Sequence, residues 1–400
     1  MTISKLEKIR VNDVEKIKQP ITVLYFGTYE ESYCRNQILV KSLKKMGHIV
    51  KDCHVPLWQD KTDKLRTFDN THNKILFLLE LLKAYIRLFL KYLLAGYYDI
   101  IFIGYMGHLD ILFAKLFMLT TLRKKKIIFD AFISLYDSIV SDRKIIAENS
   151  YISKLAFWLD KTACNCADII ILDTNAHIDF FNKTFRVSKD KMVRIFASAD
   201  EDIFYTRKIV KKNNEFNVLF IGKYTPLHGI EYIIDAAEIL KNNHDIHFTF
   251  IGSGQLYPKI RKIVKDRHLN NIVFIDWVKY EKLPYYIEAA DVCLGIFSAS
   301  KKASRVIPNK VFQSMAMGKA LITAKTPATA ECLKDDYNVI LCNPADPVDL
   351  SNAIIKIKED TLLSKKISFN ARQTFVHNFG RKEIIAGLNR TIKLAVNMDS

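Results

Sequence analysis

The sequence predicts an α/β protein of two doubly wound parallel-sheet domains facing each other across a cleft. Short apolar runs bounded by turn residues alternate with helical patterns, the signature of βα units feeding a parallel sheet. Two such series are present, opening at residues 21–26 and 217–221. A chain of 400 residues also exceeds what one hydrophobic core usually supports.

In the first series the strand at 21–26 leads through a loop containing Gly27 to a helix at 38–46, closed by Gly47, and a second strand at 48–54. Further strands are read at 100–104, 126–129 and 169–172. In the second series strands follow at 247–251, 272–275, 292–296, 320–323 and 339–341. Residues 199–215 are charged and aperiodic and form the interdomain connection. The expected division is an extension at 1–20, a first domain at 21–205, a second at 206–380, and a closing helix at 381–400 that returns to the first domain. Two such sheets bind ligands at the carboxyl ends of their strands, so function is sought in those loops.

Composition is that of a folded chain, with 49% apolar and 26% charged residues. The net charge of +17 favours polyanionic partners such as anionic lipid headgroups or phosphorylated small molecules. Lysine patches at 124–126, 211–212 and 301–302 lack Arg/Gly or aromatic RNA-binding signatures, so nucleic acid is not expected. Seven scattered cysteines and an N-terminus without a leader pattern point to a cytoplasmic protein, and Cys164 and Cys166 are read as buried small residues. No metal is expected, because no paired-carboxylate cluster stands near the glycine loops.

Residues 74–95 read as a helix whose charges, Glu80, Lys83, Arg87 and Lys91, recur every three or four residues as a single stripe. The remainder of that helix is apolar, with Leu78, Leu82 and Phe89 among its residues. Either it packs in the helical layer of the first domain, or it rests on an anionic membrane surface, the latter making the protein peripheral on the cytoplasmic face.

The second series carries the strongest chemical signal. After the strand at 217–221 comes Gly222-Lys223-Tyr224-Thr225-Pro226-Leu227-His228-Gly229 and then a helix. Glycine at a strand end lets backbone approach a phosphate, and the helix N-terminus supplies free N–H donors and partial positive charge. A plain structural turn would use the same residues. A second loop, Gly252-Ser253-Gly254, has the same form. The third element, Arg305 to Gly318, places cations and amides before an apolar helix. There Lys310 and Gln313 share a face that could pair a lysine with phosphate and an amide with sugar hydroxyls.

The order of these loops, with Trp277-Val278, Ala290-Asp291-Val292, Pro308-Asn309-Lys310-Val311-Phe312-Gln313 and Met315-Ala316-Met317-Gly318, resembles the donor half of retaining GT-B glycosyltransferases. The resemblance covers residues 218–350 well and 21–205 more loosely. It implies a GT-B fold of two Rossmann-like domains. It further implies transfer of a sugar from a nucleoside diphosphate sugar, bound as substrate and not as cofactor, to an acceptor hydroxyl with retention of configuration. A lipid-linked or glycan acceptor in cell-surface glycan or polysaccharide synthesis follows from the same likeness.

Carried over to these residues, the resemblance places Lys223 where the family has an arginine on the donor diphosphate and His228 where it has a lysine. Arg305 and Gln313 stand at the two acids of the Glu-x7-Glu motif, so both acids are absent. The donor-binding set is then Gly27, Gly222, Lys223, His228, Gly252, Gly254, Val278, Arg305, Asn309, Lys310 and Gln313. In the first domain Phe132 stands where the family often has a histidine, which leaves His108, Asp130 and Asp137 as candidate catalytic groups of the cleft. Two alternatives stay open: a catalytically silent binding partner in a glycan assembly complex, favoured by the missing acids, and a nucleotide-sugar epimerase.

Overall fold

The computed structural model describes residues 19–57, 71–207 and 215–397, with the side chains of 71–74 and 397 outside the description. Most of the N-terminal extension, Lys211 and Lys212, and much of the interdomain connection therefore lie outside the described residues.

Strands β1 (Thr22–Gly27), β2 (Ile49–His54), β3 (Ile100–Ile103), β4 (Lys126–Asp130), β5 (Ile169–Leu172) and β6 (Met192–Arg194) form one sheet in the order β2-β1-β3-β4-β5-β6. The second sheet contains β7 (Phe216–Ile221), β8 (Ile246–Ile251), β9 (Ile272–Ile275), β10 (Val292–Leu294), β11 (Ala320–Ala324) and β12 (Ile340–Cys342), ordered β12-β11-β10-β7-β8-β9. The pairings are parallel in both sheets. Strands buried on both faces read as continuous apolar runs, which is why they are visible in the sequence. Strand β6 has three residues, too few to show a period.

Two helices, α1 (Cys34–Lys45) and α12 (Arg381–Asn397), cover one face of the first sheet. There Leu39, Leu43, Ile384, Leu388 and Ile392 pack on Val23, Tyr25, Phe102 and Ile171. The chain's last helix is thus part of the first domain's core. On the other face lie α2 (Thr71–Leu94), α3 (His108–Thr120), α4 (Tyr151–Cys166) and α5 (Asn175–Phe185), around Leu24, Phe26, Ile101, Ile103, Phe129 and Leu172.

The second sheet is sandwiched between two helical layers, with α6 (Ile230–Ile239), α7 (Tyr257–Asp266) and α10 (Pro347–Glu359) on one face. The other face carries α8 (Leu283–Ala289), α9 (Asn309–Ala316) and α11 (Thr361–Asn378).

The chain crosses between domains twice, and the crossings are tied together. Ser198 donates to the Phe379 carbonyl at 2.5 Å, and the Arg381 amide donates to Glu201 at 3.0 Å. The Arg381 guanidinium also lies 2.7 Å from Asp202.

Helix α2 belongs to the helical layer, since Ala84, Tyr85, Leu88 and Tyr92 are buried against the sheet. Phe89 points inward too, 4.7 Å from the Phe117 ring, and so corrects its assignment to the outer apolar face. Leu78 and Leu82 remain exposed. Among the described residues no helix is long and apolar enough to cross a membrane.

Because Leu388 is fully buried between α12 and the first sheet, Leu388→Ala is expected to destabilise that domain by about 2 to 5 kcal/mol. Leu362→Ala on the exposed side of α11 should change stability by less than about 0.5 kcal/mol. Urea unfolding of the two variants checks both; equal midpoints would show that α12 contributes no core.

Candidate functional site

In the second sheet the strand order reverses between β7 and β10, and the loops leaving these two strands open a crevice at the carboxyl edge. Gly222 follows β7 with φ +156°, a conformation that L side chains rarely adopt. A Cβ there would lie 3.0 Å from Lys310 Nζ and 3.1 Å from His228 Cε1, so glycine, lysine and histidine converge on one point. Gly229, with φ +62°, starts α6, and a Cβ on it would meet the Ser298 amide nitrogen at 2.5 Å. This glycine lets the loop after β7 pack on the chain that follows β10.

Gly252 and Gly254 serve the same loop from the other side. A Cβ on Gly252 would sit 2.2 Å from the Gly222 carbonyl oxygen, and one on Gly254 would sit 2.8 Å from the Tyr224 nitrogen. The Tyr224 amide donates to the Ser253 carbonyl at 3.0 Å. These two glycines therefore shape the first loop by close packing.

Lys310, in the first turn of α9, is buried. Its ammonium donates to the Gly295 carbonyl at 3.2 Å, beyond the end of β10, and sits 3.7 Å from the centre of the Phe220 ring. Burial pushes its pKa well below the ordinary lysine value. His228 is buried beside it, and burial followed by the Lys310 charge lowers its pKa well below the usual histidine range. Nδ1 of that ring faces the Lys223 carbonyl, to which an N–H there would donate. The lowered pKa disfavours a positive charge on His228 in the unliganded protein. The Lys223 side chain is exposed at the same edge.

Across the crevice the first domain closes in. Arg305 lies 2.7 Å from Asp137 and 4.0 Å from the centre of the Phe180 ring, so it is an interdomain strut whose guanidinium already has its carboxylate. Its carbonyl accepts from the Thr174 hydroxyl. Lys302, also buried, donates to Ser138 Oγ at 2.8 Å and lies 3.8 Å from Asp142. Glu331 accepts from the Asn175 and Ala176 amides, both at 2.9 Å, and from Arg194 at 3.0 Å.

Nearer the centre, Asn309 donates to Cys34 Sγ at 3.0 Å, while Gln313 and Cys34 both lie against the Tyr280 hydroxyl. Gln313 is buried there. Val278 lies beyond the end of β9, half-buried on the core that also holds Tyr280.

The three candidate catalytic groups are buried. Asp130 is fully buried and holds Arg35 at 2.8 Å, with the Arg35 guanidinium also 4.5 Å from the centre of the Phe132 ring. Burial raises the Asp130 pKa, opposed by Arg35. His108 is buried at the start of α3 with Nε2 3.1 Å from Asp160, a carboxylate already accepting from Ser134, Leu135 and Tyr136. Both hold the floor of the first domain together. Asp137 remains at the domain interface, committed to Arg305.

Gly27 is required by packing as well, since a Cβ would lie 2.3 Å from Asp110 Oδ2. Asp110 anchors the loop after β1 by accepting from the Thr28 amide at 2.9 Å and from Tyr85 at 2.8 Å. Asp110, Lys302 and Tyr280 are neighbours of the candidate site that sequence reasoning missed, whereas Arg35 lies in the polar stretch after Gly27 that the resemblance already places at the cleft. Lys302 had a signal, its place in the polar run after β10.

Among the described residues one group of metal-ligand type, Glu31, Asp52 and His54, brings its ligand atoms within 4.8 Å of one another. It lies on the β2 side of the first domain, away from the Lys310 crevice.

Two Rossmann-like domains whose carboxyl edges meet in this way define a GT-B protein. Residues 215–360 match the family model of Glycosyl transferases group 1. An uncharacterized glycosyltransferase of Methanocaldococcus jannaschii is 26% identical over 261 residues, 62% of this chain and 65% of that protein. The alpha-D-kanosaminyltransferase of Streptomyces kanamyceticus is 21% identical over 54% of this chain and 58% of its own length. The first three curated relatives are spanned over 65%, 53% and 51% of their lengths. Among solved structures, sucrose-phosphate synthase of Thermosynechococcus elongatus superposes with a TM-score of 0.73 at 15% identity, over 96% of this chain and 100% of that one. Anabaena HepE in complex with UDP-glucose superposes at 0.68 and 15% identity, over 93% of this chain and 99% of its own.

A lysine buried without a carboxylate partner destabilises the unliganded fold, because the unfolded chain keeps it charged and hydrated. Lys310→Met is expected to raise the melting temperature by roughly 2 to 4 °C, about 1 kcal/mol in a domain of this size. Differential scanning calorimetry reads the shift. A lowered melting temperature would mean that the ammonium stabilises the unliganded fold.

Proposed function

We propose that this protein transfers a sugar from a nucleoside diphosphate sugar to an acceptor hydroxyl, with retention of configuration. The observation that carries the reading is the convergence of Gly222, His228 and the buried Lys310 ammonium at the β7/β10 crevice, beside the α6 and α9 N-termini. A diphosphate is the ligand that such a site fits. It meets glycine backbone at close range, receives N–H donors from the helix ends, and supplies the negative charge that the buried lysine lacks. The HepE structures in complex with UDP and with UDP-glucose support a nucleotide sugar as donor.

Lys223 and Lys310 then offset charge on the leaving diphosphate, and Gln313 offers an amide to ribose or sugar hydroxyls. Retention follows from a front-face route in which the leaving phosphate itself accepts the acceptor proton. The acceptor belongs to cell-surface glycan synthesis, either lipid-linked or a glycan, reached at the cytoplasmic face of an anionic membrane.

A second reading, a silent partner that binds nucleotide sugar without transfer, is favoured by one observation. Arg305 stands at the first acid position and is locked to Asp137. Titration calorimetry against UDP-, GDP- and ADP-sugars, followed by assay for nucleoside diphosphate release and NMR of the product anomer, separates the readings. Retained configuration in a transferred sugar supports the first; donor binding with no release under any acceptor supports the second.

Lys223→Ala is expected to weaken donor binding by about 1.5 to 3 kcal/mol, the worth of a charge-assisted hydrogen bond. Gln313→Leu should raise the donor KM about tenfold, while Gln313→Glu keeps activity or raises it. Unchanged donor kinetics in the leucine variant would remove Gln313 from the site.

A further inference from the structure

Helix α2 packs beside α3, and α3 beside α4, on the same face of the first sheet. Their outward sides form one continuous surface, and that surface is apolar. Leu78, Leu82, Ile86 and Leu90 of α2 are exposed, as are Leu116 and Leu119 of α3. On α4 the exposed residues are Tyr151, Ile152, Leu155 and Trp158, the indole of the last 53% exposed. Scattered single exposures are ordinary, but ten large apolar side chains exposed on three neighbouring helices mark an interaction surface.

Charge selects the occupant. Lys83, Arg87, Lys154 and Lys161 are exposed on the same helices. Of the acids there, Asp110 and Asp160 are buried, which leaves Glu80. A second copy of this chain docked on the same face would bring cation against cation. An anionic bilayer accepts both components, with leucines entering the headgroup boundary, lysines meeting phosphates, and tyrosine and tryptophan rings settling at the interface. Among the described residues none of these helices is long and apolar enough to cross a bilayer.

We propose that the outer plane of α2, α3 and α4 is a docking surface for an anionic lipid bilayer, seated through Leu82, Ile86, Leu119, Leu155 and Trp158. The proposal deepens the glycosyltransfer reading above and rests on it for the role of the acceptor. Helices α2 and α3 follow the carboxyl ends of β2 and β3, and α4 follows the segment after β4. Their N-terminal ends therefore stand on the cleft side of the domain, and docking lays the cleft mouth beside the lipid headgroups, where a lipid-linked hydroxyl enters without leaving the bilayer.

The test is sedimentation of the full chain with vesicles of phosphatidylcholine alone or mixed with phosphatidylglycerol. Binding is expected to the mixed vesicles, to fall as salt rises, and to drop about tenfold in the α4 double variant Leu155→Ser/Trp158→Ser, although α2 is untouched. Trp58→Phe/Trp277→Phe leaves Trp158 as the reporter, and its emission should shift to the blue on anionic vesicles. Nucleotide-sugar titration on the same samples shows that each variant is folded and separates the two ideas. Donor binding without vesicle binding overturns the docking surface and leaves glycosyltransfer standing; vesicle binding without donor binding does the reverse. Overturning results are sedimentation unchanged in the α4 variant, no blue shift, or a concentration-dependent dimer that occupies the face.

Discussion

One buried cation organises the second domain's active edge. The Lys310 ammonium is packed between the Phe220 ring and the Gly295 carbonyl, with no carboxylate paired to it among the described residues. Removing a charge from water without an opposite charge is unfavourable, so such a group persists where a ligand later supplies what is missing. The surrounding architecture serves that position. Gly222 has no side chain because one would strike the ammonium, Gly229 and Gly252 hold the loop in place by backbone contact, and the lowered pKa of His228 disfavours a second positive charge beside the lysine.

The two domains meet through charges that are already paired. Arg305 with Asp137, Lys302 with Asp142 and Ser138, and Glu331 with Arg194 and two amides link the sheet edges at several points around the crevice. Each partner comes from a different domain, so opening the cleft breaks these contacts together. The walls of the candidate site are joined by ion pairs, and Arg35 and Asp130 pair within the first domain.

Most strands were legible because both faces of each sheet are covered, which turns strands such as β3 and β5 into apolar runs, whereas the three-residue β6 left no pattern. The glycine loops were legible as local signals between strand and helix. What the sequence could not reveal is pairing over long separations. Arg35 and Asp130 stand 95 positions apart, and Arg305 and Asp137 stand 168 apart, so nothing local marks either carboxylate as already engaged. For the same reason Asp130 and His108 read as cleft groups and prove to be buried supports. Lys301 and Lys302 read as one basic patch, yet the first is exposed and the second is buried at the interface. Helix α2 shows the converse: its apolar character was plain, but only the neighbouring α3 and α4 reveal that its outer side continues into a plane.

The account turns on a diphosphate supplying the negative charge that the buried Lys310 side chain lacks. Burial lowers the Lys310 and His228 pKa values in the free protein, and a bound anion raises them, so donor binding near and above those lowered values must take up protons, and affinity must rise as pH falls through them. Titration calorimetry of nucleoside diphosphate in two buffers of different ionisation enthalpy measures that uptake directly. The account predicts a net proton uptake that shrinks in Lys310→Met; tight binding with the same heat in both buffers would contradict it.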